Sequence, residues 1–462
     1  MLVSLRPHAI PALAFSLAAA GSSACVLDYP VGNSPLAGTG GESDDTSTTS
    51  DVDPTTSEPA RCGDGVVDAE EACDDGNDDP ADGCDLECNR APTVGWTHTD
   101  GGEHGGGFVP NAVAVDPMGR IVVVGDDLAP DRYGEAAVLV FGPGGNLMWR
   151  RSFPTVDKDW NTFTDVAVDG DGRIFAGGFA LEDLEFVEIV RCLDATGEEL
   201  WTFHEVVSGP VQTARLHGLV VGPGGLYSVG EEYGDHEFFE LVVRKHDLAT
   251  GAVAWKLEHQ GPGDMVGTSI AVSGDHLVAV GRVTSPTDSL PHPLVVTVDT
   301  AGTLVSSAAE DQLVGEWSSV APIGATGDLV LAGYSREPGA IPRNARLRRI
   351  EAAGAEVWSF VGDSPFAEFK DVAVGPDEAI VAIGDIDVPG VDEQHSYTRR
   401  FTGDGATLWT SHLLAIPGAM NEHGFAVAFS GSTVIAAGMW TEEIDDAPGT
   451  LLNLWLRQFA GQ

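Results

Sequence analysis

Residues 62–89, CGDGVVDAEEACDDGNDDPADGCDLECN, hold the side chains of this chain that are best suited to metal or redox chemistry. They contain four of the six cysteines, in the spacing C-x10-C-x10-C-x3-C: Cys62, Cys73, Cys84 and Cys88. Zinc sites usually combine two closely spaced cysteine pairs, and only the last spacing here is short. So short a segment cannot bury an adequate core. In an exported chain we therefore predict two disulfides, with the pairing left open.

The same segment is dense in carboxylates, whose oxygens are the ligands that Ca²⁺ prefers. The candidate calcium ligands are Asp64, Asp68, Glu71, Asp74, Asp75 and Asp82. Asp-Gly pairs also form simple turns, which is the alternative. The pattern CGDG…EEACDDGN…DGC…C resembles the cysteine-rich repeat of secreted and surface proteins of myxobacteria and their relatives, the DUF4215 group. That resemblance covers Cys62 to Cys88 and implies a stapled spacer.

The N-terminus has the pattern of an export signal over residues 1–24. Arg6 supplies the positive charge, AIPALAFSLAAA the apolar region and GSSA the small residues of a cleavage site. Cys25 then resembles the acylated cysteine of the bacterial lipobox, although Ser22 stands where that family has Leu. The resemblance implies a lipoprotein of the outer membrane or cell surface, with secretion or a periplasmic location as the alternative. Residues 25–61 have almost no apolar side chains after Tyr29 and are predicted to form a disordered tether.

The formal net charge of the 462 residues is −47 at pH 7. So acidic a surface repels phosphates, which excludes nucleic acid as a partner and leaves a lipid anchor as the membrane link. The length also exceeds what one core usually fills, so several domains or a repeat architecture are expected.

After residue 92 the chain repeats itself seven times with a period of about 52 residues. The first apolar strand of each copy is marked by Val113, Val166, Leu219, Ile270, Val320, Val372 and Phe425. The second strand ends in Gly125, Gly178, Gly230, Gly281, Gly333, Gly384 and Gly438. A repeated strand-end glycine predicts a bend or a close backbone approach. Two further strands complete each copy, separated by turn signals.

A tryptophan marks the fourth strand of most copies: Trp149, Trp201, Trp255, Trp358 and Trp409, with Ser306 at that place in the fourth copy. Trp96 stands one period before Trp149, whereas the last copy lacks its own fourth strand. We therefore predict an all-β fold, a seven-bladed β-propeller over residues 93–462. The N-terminal strand should complete the seventh blade and so remove the exposed sheet edges.

The segments LDATGEELW and HDLATGAVAW resemble the Trp-bearing repeats of the quinoprotein (PQQ) propeller superfamily, and the array resembles propellers of bacterial surfaces. For fold the resemblance supports the propeller. For activity it implies a PQQ-dependent oxidoreductase only as an alternative, because many members carry adjacent cysteines and this propeller has Cys192 alone. Cys192 is predicted to be a buried packing residue.

Two sets of residues are candidates for ligand binding at the loop-rich end of the propeller, where long irregular loops would gather. The first is a polar ring at the starts of the innermost strands: Asn111, Thr164, His217, Thr268, Ser318, Lys370 and His423. The second is three tryptophans outside the repeating position: Trp160, Trp317 and Trp440. Solvated strand ends and packing under loops are the structural alternatives. A set of acidic loop residues is expected to form a solvated surface, with calcium as the alternative: Asp126, Asp127, Glu231, Glu232, Asp385, Asp387, Glu442 and Glu443.

We thus expect a non-catalytic binding module for a glycan, a peptide or a protein, with no catalytic residue assigned. A quinoprotein-like oxidoreductase and a purely structural surface module are the alternatives. No cofactor is assigned with certainty, and Ca²⁺ is the candidate ion.

Overall fold

The computed structural model divides into two parts, Met1–Ser57 and Glu58–Gln462. The residues that the structure describes all lie in the second part: 65–67, 73–74, 76, 84, 92–129, 132–154, 160–182, 185–205, 213–233, 237–340, 342–362, 364, 366–387, 394–411, 419, 421–443 and 450–460. The predicted export signal, Cys25 and the predicted tether lie outside the described residues. No helix long and apolar enough to cross a membrane occurs among the residues described.

The described residues confirm the all-β prediction, with 28 strands and no helix among them. Twenty-four strands follow in groups of four along the chain. Unit 1 comprises β2 (Gly107–Val115), β3 (Ile121–Ala129), β4 (Arg132–Phe141) and β5 (Leu147–Phe153). Unit 2 comprises β6 (Asn161–Val168), β7 (Ile174–Glu182), β8 (Glu185–Leu193) and β9 (Glu199–Glu205). Unit 3 comprises β10 (Thr213–Gly222), β11 (Gly225–Tyr233), β12 (Glu240–His246) and β13 (Val253–His259).

The next three units repeat this order. Unit 4 comprises β14 (Met265–Ser273), β15 (His276–Thr284), β16 (Pro291–Asp299) and β17 (Leu304–Ala309). Unit 5 comprises β18 (Val314–Ile323), β19 (Asp328–Arg336), β20 (Asn344–Ile350) and β21 (Glu356–Val361). Unit 6 comprises β22 (Ala367–Val374), β23 (Ile380–Asp387), β24 (Gln394–Phe401) and β25 (Thr407–Ser411).

Unit 7 takes its fourth strand from the start of the repeat region. It comprises β26 (Asn421–Ser430), β27 (Thr433–Glu443), β28 (Thr450–Phe459) and β1 (Val94–Asp100), which pairs antiparallel with β28. All pairings within the units are antiparallel, and units 2 to 6 are separate four-stranded sheets. Units 1 and 7 form one eight-stranded sheet through a single parallel pair, Gly107 with Leu452.

Burial explains why the strands differ in sequence. Inner strands such as β3 are buried on both faces and read as apolar runs, IVVV in this case. Outer strands such as β13, VAWKLEH, alternate between exposed and half-buried residues because only one face packs. The largest hydrophobic clusters lie between successive units, including one that joins units 7 and 1 through Phe108 and Leu454.

The repeated tryptophans hold neighbouring units together. The ring of Trp201 lies against the turn glycine of the next unit, so that a Cβ on Gly251 would come within 2.5 Å of it. The indole N–H of Trp201 also donates to the carbonyl oxygen of Leu248, at 3.1 Å. In the fourth copy, Ser306 replaces the tryptophan. The matching turn glycine, Gly354, has no atom within 4 Å of the position its Cβ would take.

Candidate functional site

The first strand of every unit carries a one-residue β-bulge opposite the repeated glycine. The residues that the bulges leave unpaired are Asn111, Thr164, His217, Thr268, Ser318, Lys370 and Phe425. The glycines are required because each bulge brings a carbonyl oxygen to within 1.9–2.1 Å of the position of a Cβ; at Gly384 that oxygen belongs to Glu368. The predicted close backbone approach is therefore confirmed.

Six of the seven predicted ring residues occupy these bulges and line one cavity of 490 Å³. They are Asn111, Thr164, His217, Thr268, Ser318 and Lys370. Trp160 and Phe179 supply aromatic wall, and Asp126, Glu316 and Glu368 supply carboxylates. A bulge re-aims a side chain out of the regular alternation, which explains how six different units present residues to one space.

The prediction of His423 as the seventh ring residue was wrong by two positions. Gly424 pairs with Gly438, so that the bulge falls at Phe425, while His423 pairs with Met439. Shifting a strand by two residues keeps every side chain on its original face, and the apolar pattern therefore could not distinguish the two registers. His423 lies beside the cavity instead, with Nδ1 2.9 Å from Oδ2 of Asp385.

The three predicted tryptophans lie in different environments. The prediction that Trp317 is available to a ligand was wrong, because its side chain is buried and its indole N–H donates to Glu310 at 3.0 Å. It occupies the position before the bulge, which Phe163, Leu216 and Phe369 also fill with buried side chains. Trp440 packs partly buried against the cluster of units 6 and 7. Trp160 alone lines the cavity, where it packs edge-on against Phe179.

Several ring residues also connect neighbouring units. Asn111 donates to the carbonyl of Phe163 at 2.8 Å, and Thr164 to that of Leu216 at 2.8 Å. Thr268 does the same with Trp317 at 2.7 Å. The hydroxyl protons of these threonines are thus engaged, and their oxygens retain only acceptor capacity toward a ligand.

Most charged groups at the cavity are paired. The ammonium of Lys370 lies 2.6 Å from Asp385 and 4.3 Å from the ring centre of Phe425. Burial acts to raise the pKa of Asp385, but Lys370 and His423 hold that pKa below its usual value. Arg282 lies 2.6 Å from Glu316. The expectation of a solvated surface is wrong for Asp127, Glu231 and Asp385, all of which are buried.

Asp126 differs from the other carboxylates of the cavity. It forms no ion pair with any described residue, and its Oδ1 atom has no hydrogen-bond partner among them. Burial raises the pKa of Asp126 to about 7, although hydrogen bonds from Thr162, Asn111 and Trp160 act to lower it. Among the described residues, Asp126 is therefore a carboxyl without a cation partner, and it shares the cavity lining with Trp160 and Phe179.

In four of the seven units the residue after the bulge is polar: Asp165, Ser269, Ser319 and Asp371. Asp165 accepts from the backbone N–H of Leu219 at 2.6 Å, and Asp371 from that of Val427 at 2.8 Å. Burial raises the pKa of Asp165 to about 7, and the negative charge of Asp371 acts in the same direction. Sequence reasoning missed these two residues, although Asp in an otherwise apolar inner strand was a visible signal.

One serine–histidine contact has the appearance of catalytic machinery. The Ser228 hydroxyl lies 3.1 Å from Nε2 of His246, and it also lies 3.2 Å from Glu188. All three side chains are buried, with at most 1% of each residue exposed. The carboxylate contacts the serine rather than orienting the histidine, and no substrate can reach the pair, so it is a packing network.

The cysteine-rich segment is described in part. Cys73 and Cys84 form a disulfide, so neither is a free thiolate for zinc. Asp74 accepts from the backbone N–H groups of Gly65 and Gly76, both at 2.8 Å, which is turn chemistry. The other predicted residues, Cys62, Cys88, Asp64, Asp68, Glu71, Asp75 and Asp82, lie outside the described residues. Cys192 is buried as predicted, and burial raises the pKa of its thiol to about 12.

Comparison with known proteins gives no assignment for the chain. No family model matches it, and no curated protein does. Among solved structures, Sqt1 of Chaetomium thermophilum is similar over 78% of this chain and 97% of its own, with 12% identity and a TM-score of 0.44.

Proposed function

We propose that the seven units are the blades of a seven-bladed β-propeller closed by β1, and that its central cavity is a non-catalytic ligand-binding site. The observation that carries the binding proposal is the meeting of six bulge residues from six units at one cavity. The first strands contact each other in the order β2, β6, β10, β14, β18, β22, β26 and back to β2, which supports the ring.

The chemistry of the cavity favours a ligand that carries a protonated amine. Asp126 offers a carboxylate without a cation partner among the described residues. Trp160 and Phe179 offer aromatic faces and edges, on which sugar rings or aliphatic chains pack and which attract cations. A chain with a net charge of −47 also concentrates cationic ligands near its surface. An amino sugar in a glycan and a lysine side chain in a peptide share this chemistry.

The test pairs each amine probe with its acetylated form. Glucosamine oligomers and a lysine tripeptide should raise the midpoint of thermal unfolding, whereas N-acetylglucosamine oligomers and the acetyl-lysine tripeptide should not. Asp126→Asn should lower the affinity for the amine probes at least tenfold, which corresponds to the loss of about 1.4 kcal/mol or more of binding free energy with the charge contact. Asp171→Asn, at an exposed turn residue, is the control and should bind normally.

Two outcomes would contradict this function. Equal binding of amine and acetylated probes would show that charge is not recognised. No binding of any probe at millimolar concentration would remove the amine class and leave a purely structural module. Trp160→Ala separates the two proposed sources, since a glycan depends on ring stacking more than a lysine side chain does.

We also propose that the cysteine-rich segment is a stapled spacer and that Cys25 anchors the exported protein to the outer membrane. The sequence features of residues 1–89 support this. Growth with a radioactive fatty acid should label the wild-type protein and leave Cys25→Ala unlabelled. Equal label in both would overturn the anchor.

A further inference from the structure

A second group of chemistry-bearing side chains lies away from the cavity, where the loop between β1 and β2 crosses unit 1. The loop has the sequence GGEHGGG over residues 101–107. The carboxylate of Glu103, the imidazole of His104 and the carboxylate of Asp127 on β3 present ligand atoms within 4.8 Å of one another. A fourth group joins them, because Oε2 of Glu135 on β4 lies 3.4 Å from Nε2 of His104.

Two of the four groups are buried carboxylates, which is unusual for acidic side chains, whereas Glu103 is exposed and His104 is partly exposed. Asp127 is fully buried and Glu135 is 5% exposed. Nε2 of His104 is shielded from solvent and has no hydrogen-bond partner among the described residues. Water cannot reach this shielded nitrogen to form a hydrogen bond with it. Depending on the tautomer, Nε2 therefore points either a lone pair or an N–H toward the buried carboxylate of Glu135.

Backbone hydrogen bonds hold the loop in place, and one of them involves a proposed ligand: the backbone N–H of Glu103 donates to Oδ1 and Oδ2 of Asp127, at 3.0 and 3.2 Å. The backbone N–H of Gly106 donates to Leu128 at 3.0 Å, and that of Gly102 to Asp100 at 2.9 Å. A Cβ on Gly106 would lie 2.6 Å from the Leu128 oxygen. The glycines therefore let the loop lie directly on β3, and the ligand atoms are positioned before any ion arrives.

We propose that Glu103, His104, Asp127 and Glu135 form a binding site for a divalent transition-metal ion of the Zn²⁺ type. One imidazole nitrogen with several carboxylate oxygens is a donor set that suits zinc or manganese, whereas Ca²⁺ and Mg²⁺ take oxygen ligands almost exclusively. Bond lengths of about 2.0–2.2 Å would require the side chains to close slightly around the ion.

The position of the site gives it a structural role. Glu103 and His104 lie in the loop after β1, three and four residues past its end, and Asp127 and Glu135 lie on the second and third strands of unit 1. A bound ion would link the loop after β1 to unit 1, and so fasten the strand that completes unit 7. Binding energy available only to the folded chain adds to its stability. This proposal does not depend on ligand binding in the cavity.

The test uses the full chain, oxidised and freed of metal with EDTA, titrated with Zn²⁺ and with Co²⁺. We expect saturable binding, a higher midpoint of unfolding, and visible Co²⁺ absorption of the kind given by a site of low coordination number. His104→Ala should lower the affinity for Zn²⁺ at least tenfold. Glu103→Gln should do the same, and because Glu103 is exposed on the loop, this substitution should not disturb folding.

The matched control is His204→Ala, since His204 faces Glu182 at 3.0 Å and no cluster of three metal-binding side chains includes it among the described residues. This variant should bind Zn²⁺ like the wild type. Unchanged affinity in both His104→Ala and Glu103→Gln would overturn the site, as would an equal loss in His204→Ala. Preference for Ca²⁺ over Zn²⁺ would overturn the assignment to transition metals.

Discussion

Arg457 on β28 donates two parallel hydrogen bonds to Glu422 on β26, at 3.0 and 3.1 Å, and both side chains are removed from solvent. The guanidinium also lies 4.5 Å from the ring centre of Trp455. The pair spans the unit that β1 completes. Removing one partner leaves a buried charge without compensation, which is far more costly than the pair itself is stabilising.

We therefore expect Arg457→Met to lower the free energy of unfolding by about 3–5 kcal/mol. Arg191→Met is the control, because its partner Glu199 lies at 2.6 Å but is partly exposed, and the cost should stay within about 1 kcal/mol. Denaturant unfolding measures both. Adding Glu422→Leu to Arg457→Met should restore part of the loss; a further loss would contradict the pairing.

Replacing a glycine opposite a bulge should destabilise the fold more than replacing a glycine in an open turn. In Gly384→Ala the new Cβ would lie 2.0 Å from the carbonyl oxygen of Glu368, so the bulge must open. Overpacking of this kind costs about 1–3 kcal/mol. Gly170→Ala, where no atom lies within 4 Å, should change the free energy of unfolding by less than about 0.5 kcal/mol. Equal effects of the two substitutions would show that the close approach is not needed.

The missing tryptophan of the fourth copy offers a stabilising substitution. Ser306 pairs with Thr297 as Trp255 pairs with Lys245, and the strand β17 is exposed throughout. Ser306→Trp should cover the turn at Gly354 and raise the midpoint of thermal unfolding by a few degrees, since aromatic burial contributes about 1–2 kcal/mol. Ser306→Ala is the control. A midpoint no higher than that control would contradict this.

Asp165 predicts a dependence of stability on pH. Burial raises its pKa from 3.8 to about 7 in the folded chain, so the folded state holds the proton more tightly than the unfolded state does. That contribution is complete below about pH 4 and is lost as the pH rises to 7, by at most about 1.4 kcal/mol per pH unit. Between pH 4 and 7 the free energy of unfolding of the wild type should therefore fall relative to that of Asp165→Asn, which lacks the titrating group. Parallel curves would contradict the shift.

Cys192 should be inert in the native state. Burial raises the pKa of its thiol to about 12, and a thiol rather than a thiolate reacts slowly with alkylating agents. Iodoacetamide at pH 8 should leave Cys192 unmodified until denaturant is added, as mass spectrometry of the tryptic peptides would show. An added Ser306→Cys on the exposed β17 should react in the native protein. Rapid native modification of Cys192 would place it at the surface.

The repeated residues made the strands predictable. The glycine at the end of each second strand predicted a close approach, and the structure supplies the oxygen that it accommodates, as at Gly384. The tryptophan positions predicted that the strand around Trp96 joins the last unit, where β1 pairs with β28. A residue that recurs in every copy makes the same contact in each unit. A single sequence therefore shows the requirement for that residue seven times.

Features that occur once were harder to predict. The shift from His423 to Phe425 preserves strand alternation. The burial of Trp317 depends on where the bulge falls in β18, which the glycine on the partner strand indicates only approximately. Asp126 was grouped with solvated loop acids, although it lines the cavity together with Trp160 and accepts a hydrogen bond from it. Pairings between units depend on the geometry of the assembly, which local patterns do not contain.

The pairing of β1 with β28 also orders events during synthesis. Asp100 leaves the ribosome long before Thr450 does, so β1 lacks its pairing partner until β28 has been synthesised. At about 5–20 residues per second, that interval is on the order of tens of seconds. Each of units 2 to 6 takes its four strands from one continuous stretch and can pair them as it emerges, although its core needs the next unit, whereas unit 7 pairs its fourth strand after them. A translation product that stops before β28 would leave β1 without this partner, and an unpaired strand is a recognisable target for chaperones and proteases.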